Sequence, residues 1–200
     1  RTEPRRWLRW LGAAALGAVV IQGILGGLTV LYRLPKPVSI GHACLAQLFF
    51  TTTVAIAVFT SPSWLRGAEP VTDAGGRSLR NLAGALPVVI LAQLALGAGY
   101  RHQAFGIIPH ILGAMVVTIA VLTTALVAMQ QYPQQAAIKR TAKSLMHITF
   151  LQVILGIVAY IARILTSEAP VPSPAMVWTT VAHVAVGALV MAFSVVFAMQ

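Results

Sequence analysis

The chain has 200 residues, of which 58% are hydrophobic and only 9% are charged, and its formal net charge is +10. A soluble domain carries about 25% charged residues, so this composition excludes a typical soluble domain and indicates an integral membrane protein. The cations lie between apolar stretches and do not form one face, which membrane topology explains and which gives no support to nucleic-acid binding.

Six apolar stretches are long enough to cross the membrane as helices, which takes about 20 residues each. Backbone polar groups in lipid need hydrogen-bond partners within their own segment, and the short alternating stretches of a β-barrel are lacking. We therefore predict an all-α fold, a polytopic transmembrane helical bundle with six helices in this chain. The predicted spans cover residues 10–31, 38–60, 79–100, 107–129, 142–165 and 175–199.

The cations between the spans predict the orientation of the bundle. Successive loops alternate between the two membrane faces, and cytoplasmic loops carry the excess of Lys and Arg, so both termini of this chain are predicted to be cytoplasmic. The ten cations on the cytoplasmic side are Arg1, Arg5, Arg6, Arg9, Arg66, Arg77, Arg80, Lys139, Arg140 and Lys143. The four on the outer side are Arg33, Lys36, Arg101 and Arg163.

The motif Q-x-x-L-G occurs three times, at residues 22–26, 93–97 and 152–156, each time in an odd-numbered span. Each copy is followed by an outer loop and by an even-numbered span with a histidine near its start. An internal repeat of this kind indicates stacked copies of one supersecondary element, here a helical hairpin used three times. The histidines of the three hairpins are His42, His110 and His183.

These three histidines are predicted to lie at one depth, within about one to two helical turns of the outer face. A small residue follows each of them by four positions, on the same helix face, and would leave clearance for a flat ring. Neutral histidines at one depth in dry surroundings suit an iron porphyrin with axial imidazoles from two helices. The small residues are Ala46, Ala114 and Gly187.

A single histidine in a transmembrane helix is better explained by a hydrogen bond to a neighbouring helix. Three histidines in register favour heme ligation, above all by His110 and His183. The anionic propionates of a porphyrin would need cations at the outer surface, and Arg101 is the best placed because only a short loop separates it from His110. Zinc or copper is a weaker choice, because zinc sites usually include thiolate or carboxylate. The acidic residues, all in tails or loops, are Glu3, Glu69, Asp73 and Glu168.

The remaining polar residues of the spans and loops receive more ordinary interpretations. The glutamines of Q-x-x-L-G are interpreted as interhelical hydrogen-bond groups in preference to cofactor contacts. His147 starts an odd-numbered span near the cytoplasmic face, so a structural or interfacial role is predicted. His102 lies in an outer loop and is either a surface residue or a residue on the propionate side of the heme.

Three segments of the chain together resemble the heme A synthase family of bacteria and mitochondria. The resemblance implies eight helices in two four-helix halves, each with a histidine pair on its second and fourth helices. In family members the C-terminal half holds a b-type heme, and the N-terminal half is thought to hold the substrate heme O, whose C8 methyl is oxidised to the formyl of heme A. The segments are "IQGILGGLTVLYRLPKPVSIGHACLAQLFF", "LGAGYRHQAFGIIPHILGA" and "TTVAHVAVGALVMAFSVV".

This chain resembles the family from the third helix onward. The resemblance implies that His110 and His183 hold the b heme and that His42, with a catalytic role, is the second histidine of the pair that binds the substrate heme. It divides the chain into residues 1–60 as an incomplete N-terminal half, residues 61–78 as a cytoplasmic loop, and residues 79–200 as a C-terminal, heme b-binding half.

The family's first two helices have no counterpart here. The resemblance places two features of the family in that missing part, the histidine partner of His42 and an essential glutamate of the first outer loop. We expect a further hairpin to precede Arg1 in the full protein. Otherwise the chain is a short relative that binds one heme at His110 and His183. In either case this chain by itself is not expected to make heme A.

The leading interpretation is a heme A synthase-type membrane oxidoreductase of cytochrome oxidase assembly in the bacterial inner membrane. Heme b would be its cofactor, heme O its substrate and heme A its product. The second interpretation is a non-catalytic b-type cytochrome that associates with respiratory or photosynthetic membrane subunits in electron transfer. The third is a heme-free scaffold or transporter, against which the lack of charge within the spans argues. The expected partners are membrane lipid and heme.

Overall fold

The computed structural model describes residues 3–67 and 78–200, so Arg1, Glu69, Asp73, Arg77 and most of the predicted loop 61–78 lie outside the described residues. The described residues form helices and no strand. Six of the helices are long and apolar enough to cross a membrane, which confirms the predicted all-α, multi-pass bundle. In chain order the helices are α1 (Arg6–Leu31), α2 (Lys36–Thr60), the short α3 (Pro62–Leu65), α4 (Leu79–Arg101), α5 (Ile108–Gln131), α6 (Ala136–Leu165) and α7 (Pro174–Ala198).

Two helices begin earlier than hydropathy predicts. Helix α1 begins at Arg6 and not at residue 10, and α6 begins at Ala136 and not at residue 142. Both extensions carry basic residues, which are good helix formers but lower the local hydropathy. The helical structure therefore continues beyond the apolar stretch, and the basic flanks are part of the helices.

The beginnings of the helices follow from short-range chemistry. Helices α2, α5 and α7 each have proline in the first turn, where the missing N–H has no intrahelical partner to lose. The hydroxyls of Ser78 and Ser173 accept hydrogen bonds from the backbone N–H groups of Asn81 and Met176, and so cap α4 and α7.

The turns after α1 and α4 are built alike. The N–H of Leu34 donates to the carbonyl of Thr29 at 2.7 Å, and the N–H of Ala104 donates to the carbonyl of Gly99 at 2.8 Å. In each turn a residue other than glycine adopts positive φ, with Arg33 at 54° and Gln103 at 56°. These closures end the helix and return the chain towards the membrane.

Consecutive long helices pack as three hairpins, α1 with α2, α4 with α5 and α6 with α7, as the sequence repeat predicts. Helices α4, α5, α6 and α7 also close into a ring in which each helix packs against two others. Helix α2 lies outside this ring, against α4 and α7, and among the described helices α1 packs against α2 alone. The ring positions the candidate site.

The ring is packed tightly in one half and loosely in the other. We name the first the core half. It contains the N-terminal parts of α4 and α6 and the C-terminal parts of α5 and α7. It contains fully covered side chains such as Leu86, Val121 and Leu145. The second, the histidine half, comprises residues 91–101, 108–116, 150–165 and 174–186, and Gly99 is the one buried residue within those ranges. The histidine half therefore leaves helix faces that side chains of the chain do not cover.

Candidate functional site

His110 and His183 lie together in the histidine half of the ring. His110 is in the first turn of α5, and His183 is in the third turn of α7. Their ring centres are 6.2 Å apart, and their ring planes are at 87°. A metal–nitrogen bond is about 2 Å long, and the ring centre of an imidazole lies about 1 Å beyond its nitrogen. Two imidazoles that bind one metal from opposite sides therefore have ring centres about 6 Å apart. The separation therefore fits one metal ion bound by both rings.

Backbone and side chain of Gln152 both contact the ring of His183. The Nδ1 of His183 lies 3.2 Å from the backbone carbonyl oxygen of Gln152. Because a carbonyl oxygen can only accept a hydrogen bond, Nδ1 carries the proton. Its Nε2 lies 3.4 Å from the amide nitrogen of Gln152. A histidine that ligates a metal usually donates its other N–H to a carbonyl or carboxylate. His183 is thus held in the form in which Nε2 can bind a metal.

The ring of His110 contacts Gln93 in the preceding helix. The amide nitrogen of Gln93 lies 3.0 Å from Nδ1 of His110 and 2.9 Å from the backbone carbonyl oxygen of His110. One carboxamide therefore fixes the first turn of α5 to α4 and orients the imidazole at the same time. The predicted interhelical hydrogen bonds of the repeat glutamines are present, and their partners are the histidines.

Glycines in the repeat motif allow the imidazoles to lie directly on the facing helix. A Cβ atom at Gly97 would come within 2.9 Å of Cε1 of His110, and one at Gly156 would come within 2.9 Å of Cε1 of His183. Real Cβ atoms essentially never approach so closely, so each ring uses space that only glycine leaves. The final letter of Q-x-x-L-G is therefore a histidine contact, which sequence reasoning missed.

Of the three small residues predicted to leave clearance for a flat ring, Gly187 lies beside a glutamine side chain. A Cβ atom at Gly187 would lie 3.0 Å from the amide nitrogen of Gln152. In α5 the close approach is at Gly113, three residues after His110, where a Cβ atom would collide with Oε1 of Gln93. In these two hairpins the glycine on the histidine helix therefore makes room for the glutamine that contacts the imidazole.

His42 repeats this arrangement outside the ring. Its Nε2 lies 3.4 Å from the amide nitrogen of Gln22 in α1, and a Cβ atom at Gly26 would lie 3.2 Å from its Cε1. Its Nδ1 is buried and has no hydrogen-bond partner within residues 3–67 and 78–200. In all three hairpins a glutamine and a glycine of the repeat contact the histidine, through Nδ1 in His110 and through Nε2 in His42 and His183. The structure brings His110 near His183, whereas His42 contacts its own hairpin.

The cations predicted on the outer side are at the end of the bundle that carries the histidines. Arg101 is the exposed last residue of α4, and the guanidinium of Arg163 lies 4.8 Å from the ring centre of Tyr100. The Nζ of Lys36 donates to the carbonyl of Gln103 at 2.6 Å, which joins the start of α2 to the loop after α4. Arg101 is therefore an exposed cation at the same end of α4 as the loop that leads to His110.

The other two histidines lie apart from the pair. His147 is exposed in the core half of the ring, on α6. His102 follows the last residue of α4, where partial burial lowers the pKa of its imidazole and the neighbouring Arg101 lowers it further. Neither contacts the rings of His110 and His183. In the described ranges no three His, Cys, Asp or Glu residues are grouped to hold a metal.

Comparison of the chain with protein-family models, curated proteins and solved structures finds no match.

Proposed function

We propose that the protein is a membrane oxidoreductase of the heme A synthase type, in which His110 and His183 bind a b-type heme. The observation that carries the proposal is the 6.2 Å separation of the two imidazole centres. Two neutral imidazoles from two helices are a common axial ligand set for heme iron.

The residues around the pair fit this cofactor. The carbonyl of Gln152 fixes the proton on Nδ1 of His183, and Gly97 and Gly156 let both rings lie on helix backbones. The histidine half of the ring, where buried side chains are nearly absent, has uncovered helix faces against which a flat apolar macrocycle can pack. A heme bound there supplies one-electron transfer at iron, while the chain supplies ligation, orientation and exclusion of water.

His42 is proposed as a ligand of the substrate heme O. The support is that its hairpin repeats the glutamine and glycine contacts of the other two. The imidazole of His42 would bind the iron of heme O, whose C8 methyl is the group oxidised to the formyl of heme A. The excess of cations on one side supports an inner-membrane orientation with both termini in the cytoplasm.

A non-catalytic b-type cytochrome subunit is the second candidate. It is favoured by the exposed side of α1, which packs against α2 alone and shows large apolar side chains such as Leu16 and Val20 to its surroundings. Lipid or another subunit of a membrane complex could cover this surface. Pigment extraction after co-expression with a heme O synthase separates the two candidates, because heme A indicates the enzyme and protoheme alone indicates the cytochrome.

The heme site itself is tested by the optical spectrum of the purified protein in detergent. We expect the Soret and α bands of a six-coordinate b-type heme, and we expect H110A and H183A each to lose bound heme or to become five-coordinate. The control is H147A, which removes an exposed histidine in the core half. A protein without a Soret band after heme reconstitution, or unchanged spectra in both variants, would contradict the proposal.

A further inference from the structure

The side chain of Gln152 contacts Nε2 of His183, the nitrogen that would bind a metal. Its amide nitrogen is 3.4 Å from Nε2, while its backbone carbonyl is 3.2 Å from Nδ1. The two contacts require the same tautomer, with the proton on Nδ1 and a lone pair on Nε2 that accepts from the carboxamide. In this arrangement the carboxamide satisfies an acceptor that would otherwise be unpaired.

The surroundings keep this carboxamide in place. The Oε1 of Gln152 is buried and has no hydrogen-bond partner among the described residues, so the contact with His183 is the hydrogen bond that its side chain makes. Gly187 leaves the space that the amide nitrogen occupies, since a Cβ atom there would lie 3.0 Å from that nitrogen. Burying Oε1 without a hydrogen-bond partner costs free energy, and the hydrogen bond that the amide nitrogen donates to His183 offsets part of this cost.

We propose that Gln152 is a positioning residue that acts through His183, as a competitor that iron must displace from Nε2. The inference rests on the proposed heme site. Because one lone pair cannot accept a hydrogen bond and bind a metal at once, the contact stabilises the heme-free protein and not the loaded protein. By linkage, the glutamine lowers heme affinity by the free energy of this hydrogen bond.

The predicted size of the effect follows from the strength of a neutral hydrogen bond, about 1 kcal/mol, which corresponds to about a five-fold change in affinity. Q152M retains the length and flexibility of the side chain but removes the donor. We therefore expect Q152M to bind heme about five-fold more tightly than the wild-type protein. The opposite sign, weaker binding, is expected if the glutamine only braces α6 against α7.

The test is a hemin titration of the heme-free full chain in detergent micelles, together with nitrogen-15 NMR of the His183 ring. The control is Q47M, which replaces another glutamine whose Oε1 is buried without a partner among the described residues, on α2 outside the four-helix ring. Q47M should leave the affinity of the His110–His183 site unchanged. Q152L, which also lacks the donor, takes the place of Q152M if that variant does not accumulate.

The NMR measurement separates this role from a purely structural one. The wild-type ring should show a protonated Nδ1 and a hydrogen-bonded, unprotonated Nε2, and the Nε2 signal should move towards that of a free lone pair in Q152M. Tighter heme binding with this shift supports the inference. Equal or weaker binding in Q152M, or an unchanged Nε2 signal, overturns it. A wild-type chain that binds no hemin would overturn the proposed function instead.

Discussion

At the scale of single residues, the candidate site depends on glycines, which have no side chain to block a neighbouring ring. Each Q-x-x-L-G motif places a glycine one helical turn after its glutamine, and the following helix lays an imidazole on that glycine. The contact is closest for Gly97 and Gly156, whose partners are the two histidines that face each other. The conformation of each ligand is therefore decided by a residue that cannot itself touch a metal.

This dependence predicts the effect of one methyl group. In G97A the new Cβ would come within 2.9 Å of Cε1 of His110, so the ring must move away from α4. We expect G97A to weaken heme binding by about ten-fold, the lower end of the effect of disturbed outer-shell contacts. The measurement is a hemin titration followed at the Soret band.

The matched control for G97A is G84A, on the same helix. A Cβ atom at Gly84 meets nothing within 4 Å, and alanine is the better helix former by about 1 kcal/mol. G84A should therefore retain heme affinity and gain slightly in stability. Equal heme affinities of G97A and G84A would show that the Gly97 contact does not set the ligand geometry.

At the scale of elements, the N-terminal segment is fixed to the end of α2 by aromatic rings. The ring of Phe59 packs edge-on against Trp7 at 4.8 Å and against Trp64 of α3 at 4.9 Å. The guanidinium of Arg5 donates to the carbonyl of Phe59 at 2.9 Å and pairs with Glu3 at 2.6 Å. These contacts join the outermost helix α1 to the rest of its hairpin at the end opposite to His42.

The cluster predicts that Phe59 contributes more to stability than its position at a helix end indicates. F59A removes two edge-to-face pairs, each worth about 0.5–1.5 kcal/mol, so we expect a loss of about 1–3 kcal/mol in the free energy of unfolding. Denaturant unfolding in mixed micelles, followed by tryptophan fluorescence, measures the loss. F150A, which truncates a half-exposed ring on α6, serves as the control and should change stability less. Equal losses in the two variants would contradict the assigned role of the cluster.

At the scale of the whole molecule, the imidazole pair belongs to a unit that closes without the first hairpin. Helices α4 to α7 form the ring, whereas α1 reaches it only through α2. The core half of the ring is filled by its own residues, from Leu79 to Phe197. The two imidazoles come from α5 and α7, which are both helices of the ring.

The closed ring predicts that residues 78–200 fold and bind heme as a separate fragment. We expect this fragment, purified in detergent, to show the same Soret and α bands as the full chain, with an affinity reduced by less than about ten-fold, because outer contacts alone are lost. Parallel hemin titrations of the two proteins measure the difference. A fragment that is helical but binds no hemin would show that α2, packed against α4 and α7, is part of the site.

The sequence by itself determined the six helices and the three hairpins. These features follow from local rules, because lipid requires each spanning segment to satisfy its own backbone and because short loops join the two helices of each hairpin. The local pattern does not separate His42 from His110 and His183, and the prediction that the last two form the pair drew on the family resemblance.

Only the tertiary structure decided how α4 to α7 close into the ring and how near the imidazoles of His110 and His183 lie, with 6.2 Å between their ring centres. The physical reason is that lipid and protein interior are equally apolar, so a membrane helix has apolar residues on buried and exposed faces alike. Ile119 and Val121 lie two residues apart on α5, yet Ile119 is 62% exposed and Val121 is fully buried. Hydropathy therefore predicts where a helix crosses the membrane, and packing among helices decides which way each histidine faces.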